Sequence, residues 1–138
     1  MKQQQNYVFK NWAKNVQSQV ANYFQPETEE EIISVVKNHH KIRMVGTGHS
    51  WSGICATNEA LLNLDYYNKI THIDKERKLV TVQAGIKLWQ LNILLDKEGL
   101  ALLNLGSIDQ QSIAGAISTG THGSGIQFQI LGSQMREF

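Results

Sequence analysis

The stretch RMVGTGHSWSG, residues 43–53, places a histidine directly behind a glycine turn. The run KIRMV, residues 41–45, which leads into this turn, is typical of a short strand. Glycines that follow a strand can turn several N–H groups inward and form a concave anion site, for which phosphate is the usual guest. The hydroxyl groups of Thr47 and Ser50 are further potential donors. The stretch therefore favours an anion-binding loop, with an ordinary turn as the alternative.

A second cluster, STGTHGSG at residues 118–125, repeats this chemistry with small residues, hydroxyl groups and a histidine. The preceding SIAGAIS, residues 112–118, is small and apolar, which favours close packing. The alternative is a mobile surface loop. Two such clusters could grip an extended diphosphate from both sides.

Composition excludes several classes of protein. The 138 residues include 13 basic and 12 acidic ones, and no basic run suggests a nucleic-acid partner. No stretch of about 18 apolar residues predicts a membrane span. The N-terminus is too polar for a signal peptide. A single cysteine excludes an internal disulfide framework and a multi-cysteine zinc site, and we expect no metal and a cytoplasmic location.

A helix is predicted after Pro26, because Thr28 and Glu31 have the spacing of a capping box. One face of this helix is apolar, formed by Ile32, Ile33, Val35 and Val36. ALLNL, residues 60–64, is a second short apolar run.

The second half begins with a predicted hairpin. ITHID, residues 70–74, and KLVTVQAG, residues 78–85, flank a charged turn. Residues 87–99 predict an amphipathic helix with Gly99 as its C-terminal stop. The apolar side of this helix consists of Leu88, Leu91, Leu94 and Leu95. Strands and helices mixed with a hairpin indicate an α+β fold rather than a doubly wound sheet.

Other residues receive structural interpretations. We expect Trp12 to pack near the start of the domain, Trp89 to lie in the core and Cys55 to be a small buried hydrophobe. His39 and His40 end the first helix, where a cation interacts well with the helix dipole, and we assign them no catalytic role.

Four pieces of the chain carry a family resemblance: NWAKN (11–15), VGTGHSWSGICAT (45–57), VQAGIKLWQLN (82–92) and GLALLNLGSIDQQSIAGAISTGTHGSG (99–125). With them the chain resembles the N-terminal, PCMH-type FAD-binding domain of the vanillyl-alcohol-oxidase flavoproteins. It is most similar to the sugar-1,4-lactone oxidases (gulonolactone and arabinonolactone oxidases) and the alditol and xylitol oxidases. The resemblance implies an α+β domain of two small α/β subdomains.

The resemblance also implies a cofactor site. In these families the histidine at the position of His49 carries FAD covalently, through a ring nitrogen to the 8α-methyl carbon. The backbone of the first cluster would bind the diphosphate, at Val45, Gly46, Thr47, Gly48 and Ser50. The second cluster would wrap the diphosphate and flavin with Ser107, Gly115, Ser118, Gly120, Thr121 and His122. Backbone amides would offset the diphosphate charge, which agrees with the lack of lysine and arginine in residues 46–50 and 118–125.

Gly106 falls where the family places a small residue beside the reactive face of the flavin. Glycine there leaves room for O2, which favours an oxidase over a dehydrogenase. The alternative is a plain turn residue.

The implied parent reaction is oxidation of a CH–OH group of a sugar lactone or alditol, with hydride passing to the flavin and O2 as acceptor. Family members continue into further strands and a substrate-binding cap. Residues 1–138 would then be a truncated, C-terminally incomplete FAD-binding domain, inactive alone and with no assignable catalytic residue. The alternatives are a non-catalytic flavin-binding or interaction module and a non-covalent flavin reductase, the latter disfavoured by His49. No membrane association is expected.

Overall fold

The computed structural model describes residues 1–137. The chain divides into two compact units, Met1–Tyr67 and Asn68–Phe138, each with its own sheet and its own core. Both units mix strands with helices, so the predicted α+β class is confirmed. Within residues 1–137, no helix has the length and apolar character needed to cross a membrane.

The first unit is built on a four-stranded sheet. Its strands are β1 (Lys2–Lys10), β2 (Gln17–Gln25), β3 (Ile42–Val45) and β4 (Ala60–Asn63), and helix α1 (Glu29–Asn38) connects β2 to β3. The order across the sheet is β1-β2-β4-β3. β1 and β2 are antiparallel, whereas β4 is parallel to both β2 and β3. The predicted strand β3 and the predicted helix α1 are confirmed, and the apolar run at residues 60–64 forms β4.

Strand β4 separates two cores because successive side chains point to opposite faces of a sheet. Ala60 and Leu62 lie in the core that α1 covers, whereas Leu61 lies in the core of the opposite face. The first core also contains Phe24 and Val35, and the second contains Phe9, Val20 and Val45. All four residues of β4 are buried, as expected for a strand with both faces covered.

Helix α1 begins at the predicted cap. The Thr28 hydroxyl accepts a hydrogen bond from the Glu31 amide at 3.3 Å. The Glu31 carboxylate reaches back to the Glu27 amide at 2.8 Å, and this bond holds the pKa of that carboxyl below its usual value. The helix ends at His39, whose Nδ1 lies 2.9 Å from the Val35 carbonyl oxygen.

The second unit contains the predicted hairpin and helix. Strands β5 (Ile70–Asp74) and β6 (Leu79–Val82) are antiparallel, and helix α2 (Leu88–Lys97) follows them. A short helix α3 (Ile113–Ile117), which the sequence did not predict, packs beside α2. The shared core consists of Ile86, Leu88, Leu91, Leu95, Ile113, Ala116 and Leu131.

Helix α2 stops where predicted. Gly99 has φ +70° and its amide donates to the Asp96 carbonyl at 3.0 Å, while the Leu100 amide donates to the Leu95 carbonyl at 2.9 Å. This pair of bonds is the Schellman motif, which needs a residue in the left-handed region at the position of Gly99.

The predicted core position of Trp89 is wrong. The buried stripe of α2 is Leu88, Leu91 and Leu95, and Trp89 lies one residue outside it with 39% of its surface exposed. Leu94 also lies at the exposed edge of the stripe. Cys55 is only partly buried, although it packs against the core of the first unit as a small hydrophobe would.

Asn63 ends β4 and fixes the exit of the neighbouring strand β3. Only 3% of its surface is exposed. Its Nδ2 donates to the carbonyl oxygens of Val45 at 3.2 Å and Gly46 at 3.1 Å, and its Oδ1 accepts from the Asp65 amide at 2.8 Å. The carboxamide therefore sets the course of the backbone from β3 into the glycine turn.

We expect Asn63→Ala to lower the free energy of unfolding by about 1–3 kcal/mol, because the buried Val45 carbonyl and the partly buried Gly46 carbonyl both lose their donor. Urea unfolding followed by circular dichroism measures the loss. Asn58→Ala, at an exposed position just before β4, is the matched control and should stay within about 0.5 kcal/mol of the parent chain. Equal stabilities of the two variants would contradict this role of Asn63.

Candidate functional site

The first candidate loop, residues 46–50, directly follows β3. Gly48 has φ +72°, a conformation that residues with a Cβ adopt only with strain. Most carbonyl groups along this loop are occupied. The Gly46 carbonyl accepts from Asn63 Nδ2. The Gly48 carbonyl accepts from the Trp12 amide at 2.9 Å, and the Ser50 carbonyl accepts from Asn11 Nδ2 at 2.9 Å.

The N–H groups of the same loop are unpaired. Within residues 1–137, the amides of residues 46–50 donate no hydrogen bond. All five residues are partly accessible, and the Thr47 hydroxyl also lacks a partner in the described chain. The Ser50 hydroxyl lies 3.0 Å from that of Ser52. A loop with occupied acceptors and available donors suits an anionic ligand.

The turn between β1 and β2 holds this loop from one side. Asn11 is buried, and besides donating to Ser50 it accepts the Val16 amide on Oδ1 at 3.0 Å. Asn15 donates from Nδ2 to the Trp51 carbonyl at 3.0 Å. Sequence reasoning missed these contacts, because nothing in NWAKN tells which distant carbonyl groups its amides meet.

Trp12 lies in the turn between β1 and β2 and packs on the first loop rather than in either core of the first unit. Its side chain is 63% exposed and stacks on the ring of His49, with centroids 5.5 Å apart and an interplanar angle of 29°. Trp51 meets Trp12 edge-on at 6.5 Å. The Trp12 side chain lies at the surface because it packs on His49 in the loop rather than on the side chains of the sheet.

His49 has both ring nitrogens available. Within residues 1–137 neither nitrogen has a hydrogen-bond partner, whereas Nδ1 of His39 and Nδ1 of His122 each lie within hydrogen-bonding distance of a carbonyl oxygen. An imidazole nitrogen with a free lone pair can act as a nucleophile. The predicted attachment residue is thus chemically competent.

The second candidate loop belongs to the second unit. Its acceptors are partly occupied: the Thr121 carbonyl accepts from the Leu131 amide at 2.7 Å, and the Thr121 hydroxyl accepts from Gln111 Nε2 at 3.2 Å. Among the described residues, the amides of residues 119–125 donate no hydrogen bond. This loop has the same excess of available donors as the first.

The other predicted residues of this loop differ in their availability. Ser107, Ser118, Gly120 and His122 are exposed. Gly115 lies inside α3, and its amide donates to the hydroxyl of Ser112, the residue that caps this helix. The Gly115 amide is therefore already used within the fold.

Gly106 has space beside it. A Cβ built on Gly106 would lie 3.4 Å from Thr121 Cγ2 and 3.5 Å from the His122 carbonyl oxygen, which are ordinary contact distances. The backbone there does not require glycine, because φ is not in the left-handed region. The small residue is therefore not explained by packing.

Arg43 in β3 precedes the first loop, and Cys55 follows it. Burial raises the pKa of the Cys55 thiol, and the charge of Arg43 opposes this only in part. The thiol therefore stays neutral at pH 7 and adds no negative charge near the loop. Among residues 1–137, no three His, Cys, Asp or Glu side chains are grouped closely enough to hold a metal ion.

Comparison with known proteins finds relatives among lactone oxidases. The chain is 43% identical over 137 residues to D-arabinono-1,4-lactone oxidase of Saccharomyces cerevisiae, covering 94% of this chain and 26% of that protein. It is 42% identical over 133 residues to L-gulonolactone oxidase of Scyliorhinus torazame, covering 94% and 30% respectively. The chain thus spans about a quarter to a third of the length of these relatives.

Solved structures share the fold. Cholesterol oxidase from B. sterolicum superposes with a TM-score of 0.77 at 22% identity, over 89% of this chain and 25% of that one. An alkyldihydroxyacetonephosphate synthase gives a TM-score of 0.71 at 22% identity, over 80% and 22%. At such identities the likeness establishes the architecture alone.

One family model accounts for most of the chain. It is described as an FAD binding domain and matches residues 20–135, which include both candidate loops and every strand and helix except β1 and the first residues of β2. The chain therefore belongs to this family of FAD-binding domains.

Proposed function

We propose that the chain is the FAD-binding portion of a flavin-dependent oxidase acting on a CH–OH group of a sugar lactone. The observation that carries the proposal is the donor excess of the loop at residues 46–50. Most of its carbonyl groups accept hydrogen bonds, whereas its amides donate none within the part of the chain that the structure describes. Membership of the FAD-binding family and relatives named for D-arabinono-1,4-lactone and L-gulonolactone support the choice of cofactor and substrate class. Alditols remain the alternative substrates.

The described residues fit FAD. A diphosphate needs several donors at close range, and residues 46–50, which include no lysine or arginine, supply backbone amides. Val45 is buried at the end of β3 with its carbonyl held by Asn63, so it would contribute by fixing the start of the loop. In the second unit, further donors would come from the amides of Gly120, Thr121 and His122, with the hydroxyls of Ser107 and Ser118. Gly115 would contribute by its lack of a side chain, because its amide is used within the fold.

Bound FAD would supply two-electron chemistry, by accepting hydride from the substrate carbon, with O2 as the final acceptor. The part of this chain is to bind and orient the cofactor, and the ring nitrogens of His49 make a covalent link possible. We assign no catalytic base within these 138 residues. The groups that orient the substrate would lie outside them, in a cap domain.

Substitution of Gly48 is the first test of the diphosphate site. Gly48→Ala should weaken FAD binding by about tenfold or more, because the left-handed conformation of the loop becomes strained by about 1–2 kcal/mol and the amides lose their arrangement. Quenching of flavin fluorescence on titration measures the dissociation constant. A Cβ at Gly48 would meet nothing closer than 3.6 Å, so the strain is in the backbone rather than in a clash.

Gly99→Ala is the matched control. Gly99 has nearly the same φ and an open surrounding but ends helix α2, so its substitution costs similar stability without touching a candidate loop. Equal loss of FAD affinity in both variants would mean that general destabilisation explains the result. If the parent chain bound no FAD at micromolar concentration, the proposed function would be wrong.

His49→Ala should retain non-covalent FAD and lose all flavin that resists acid precipitation. The reason is that no other histidine in the two loops has both ring nitrogens available. Fluorescence of the denatured chain on a gel measures the bound flavin. His122→Ala is the control and should keep the acid-stable flavin; loss of it there instead would transfer the attachment to the second loop.

Gly106→Ala should slow the reaction of the reduced flavin with O2 and leave the melting temperature unchanged. A methyl group fits at this position without a close contact, so a slower reaction reflects blocked access rather than misfolding. Stopped-flow reoxidation of photoreduced FAD bound to the chain measures the rate. Gly53→Ala, outside both candidate loops and with no atom within 4 Å of the added Cβ, is the control. An unchanged rate in Gly106→Ala would remove the assignment of Gly106 as the oxygen gate.

A further inference from the structure

We propose that Trp12 is a positioning residue for His49: its indole face holds the imidazole plane in the orientation needed for covalent attachment to flavin. This inference rests on the proposed function and extends it to a residue outside both glycine clusters. The stack of the two rings, with centroids 5.5 Å apart and planes 29° from parallel, carries it.

Among residues 1–137, no hydrogen bond orients the ring of His49. A reactive histidine is usually oriented by a bond from one ring nitrogen to a carbonyl or carboxylate oxygen. His49 has no such bond within the described residues, although His39 and His122 of the same chain have a carbonyl oxygen near Nδ1. Contact with Trp12 is therefore what restrains the ring.

A contact on the ring face also leaves the reactive atoms free. The lone pairs of the imidazole nitrogens lie in the plane of the ring, so a stacked partner does not cover them. An indole is large and rigid and gives an aromatic pair a defined geometry. Trp12 can therefore fix the ring without occupying either nitrogen.

The backbone around His49 is tied to the same turn. The Trp12 amide donates to the carbonyl of Gly48, the residue before His49, and Asn11 Nδ2 donates to the carbonyl of Ser50, the residue after it. The Asn11–Trp12 pair thus holds the chain on both sides of the histidine as well as its ring. One rigid turn orients the whole residue.

The exposure of Trp12 supports a role at the loop. Its side chain is 63% exposed, and it contributes to neither core of the first unit. A residue that served only to stabilise the sheet would gain by turning inward, since burial of an aromatic side chain is favourable. Its position at the surface is explained by its partner.

The step that Trp12 would assist joins a ring nitrogen of His49 to the 8α carbon. One N–H and one C–H bond break and one N–C bond forms. The two electrons and two protons released reduce the flavin ring system, and O2 takes them up as H2O2. Since misplacement of reacting atoms by about 1 Å can cost about 100-fold in rate, orientation of the ring matters for this step.

The test uses Trp12→Leu, Trp12→Phe and, as the control, Trp89→Leu on the surface of the second unit. With saturating FAD, the rate of acid-stable flavin incorporation should fall between about tenfold and about 100-fold in Trp12→Leu, recover largely in Trp12→Phe and stay unchanged in Trp89→Leu. The dissociation constant of FAD is measured in variants that also carry His49→Ala, which prevents covalent attachment. In each Trp variant it should stay within about twofold of the value for His49→Ala alone. A purely structural role would instead raise this constant together with slowing attachment.

A second readout needs no flavin. The ring current of Trp12 shifts the Hε1 and Hδ2 NMR signals of His49, which are assigned by their loss in His49→Gln. Trp12→Leu should remove this shift, and Trp12→Phe should retain part of it. A His49 signal that is the same in Trp12→Leu and the parent chain overturns the proposal, as do equal attachment rates. Absence of any FAD binding by the parent chain would overturn the proposed function as well.

Discussion

The hydrogen bonds to the carbonyl groups of the first loop determine what that loop can do. Each peptide group carries one donor and one acceptor, so a loop offers a net excess of donors only when its acceptors are satisfied elsewhere. Asn63 occupies the acceptors at the start of the loop, the Trp12 amide occupies Gly48 and Asn11 occupies Ser50. The loop, which contains no lysine or arginine itself, can therefore present uncharged N–H groups to an anion.

These bonds depend on the order of the strands in the sheet, which brings distant parts of the chain to the loop. Asn63 ends β4 and the loop begins where the parallel neighbour β3 ends, so the two meet at the same edge of the sheet. Asn11 follows β1, which is separated from β3 by both other strands. The turn containing Asn11 nevertheless reaches the loop, since the Asn11 and Trp12 contacts close it from the far side. Local sequence supplies the glycines, and the topology supplies their partners.

This division explains which features the sequence could predict. The helix capped by Thr28, the hairpin at residues 70–85 and the helix ending at Gly99 depend on neighbouring residues, and all are confirmed. Strand β1 was not predicted because its first half is a polar glutamine run that acquires strand structure by pairing with β2. The prediction for Trp89 was wrong because this residue lies one position away from the buried stripe of α2, at its exposed edge. A large apolar side chain favours a core position in any reading of the sequence alone.

The site residues that the sequence missed share one physical property. Asn11, Trp12 and Asn63 act on the loop through contacts that span 17 to 39 residues of sequence, whereas a motif records only neighbours. Their chemistry is also unremarkable in isolation, because an asparagine or a tryptophan outside a glycine cluster fits many structural roles. What distinguishes them is what they contact: Asn11 and Asn63 hydrogen-bond to carbonyl groups of the loop, and Trp12 stacks on His49. Hydrogen bonds fix the peptide groups, stacking fixes the ring, and the atoms left unbound are those that a ligand would meet.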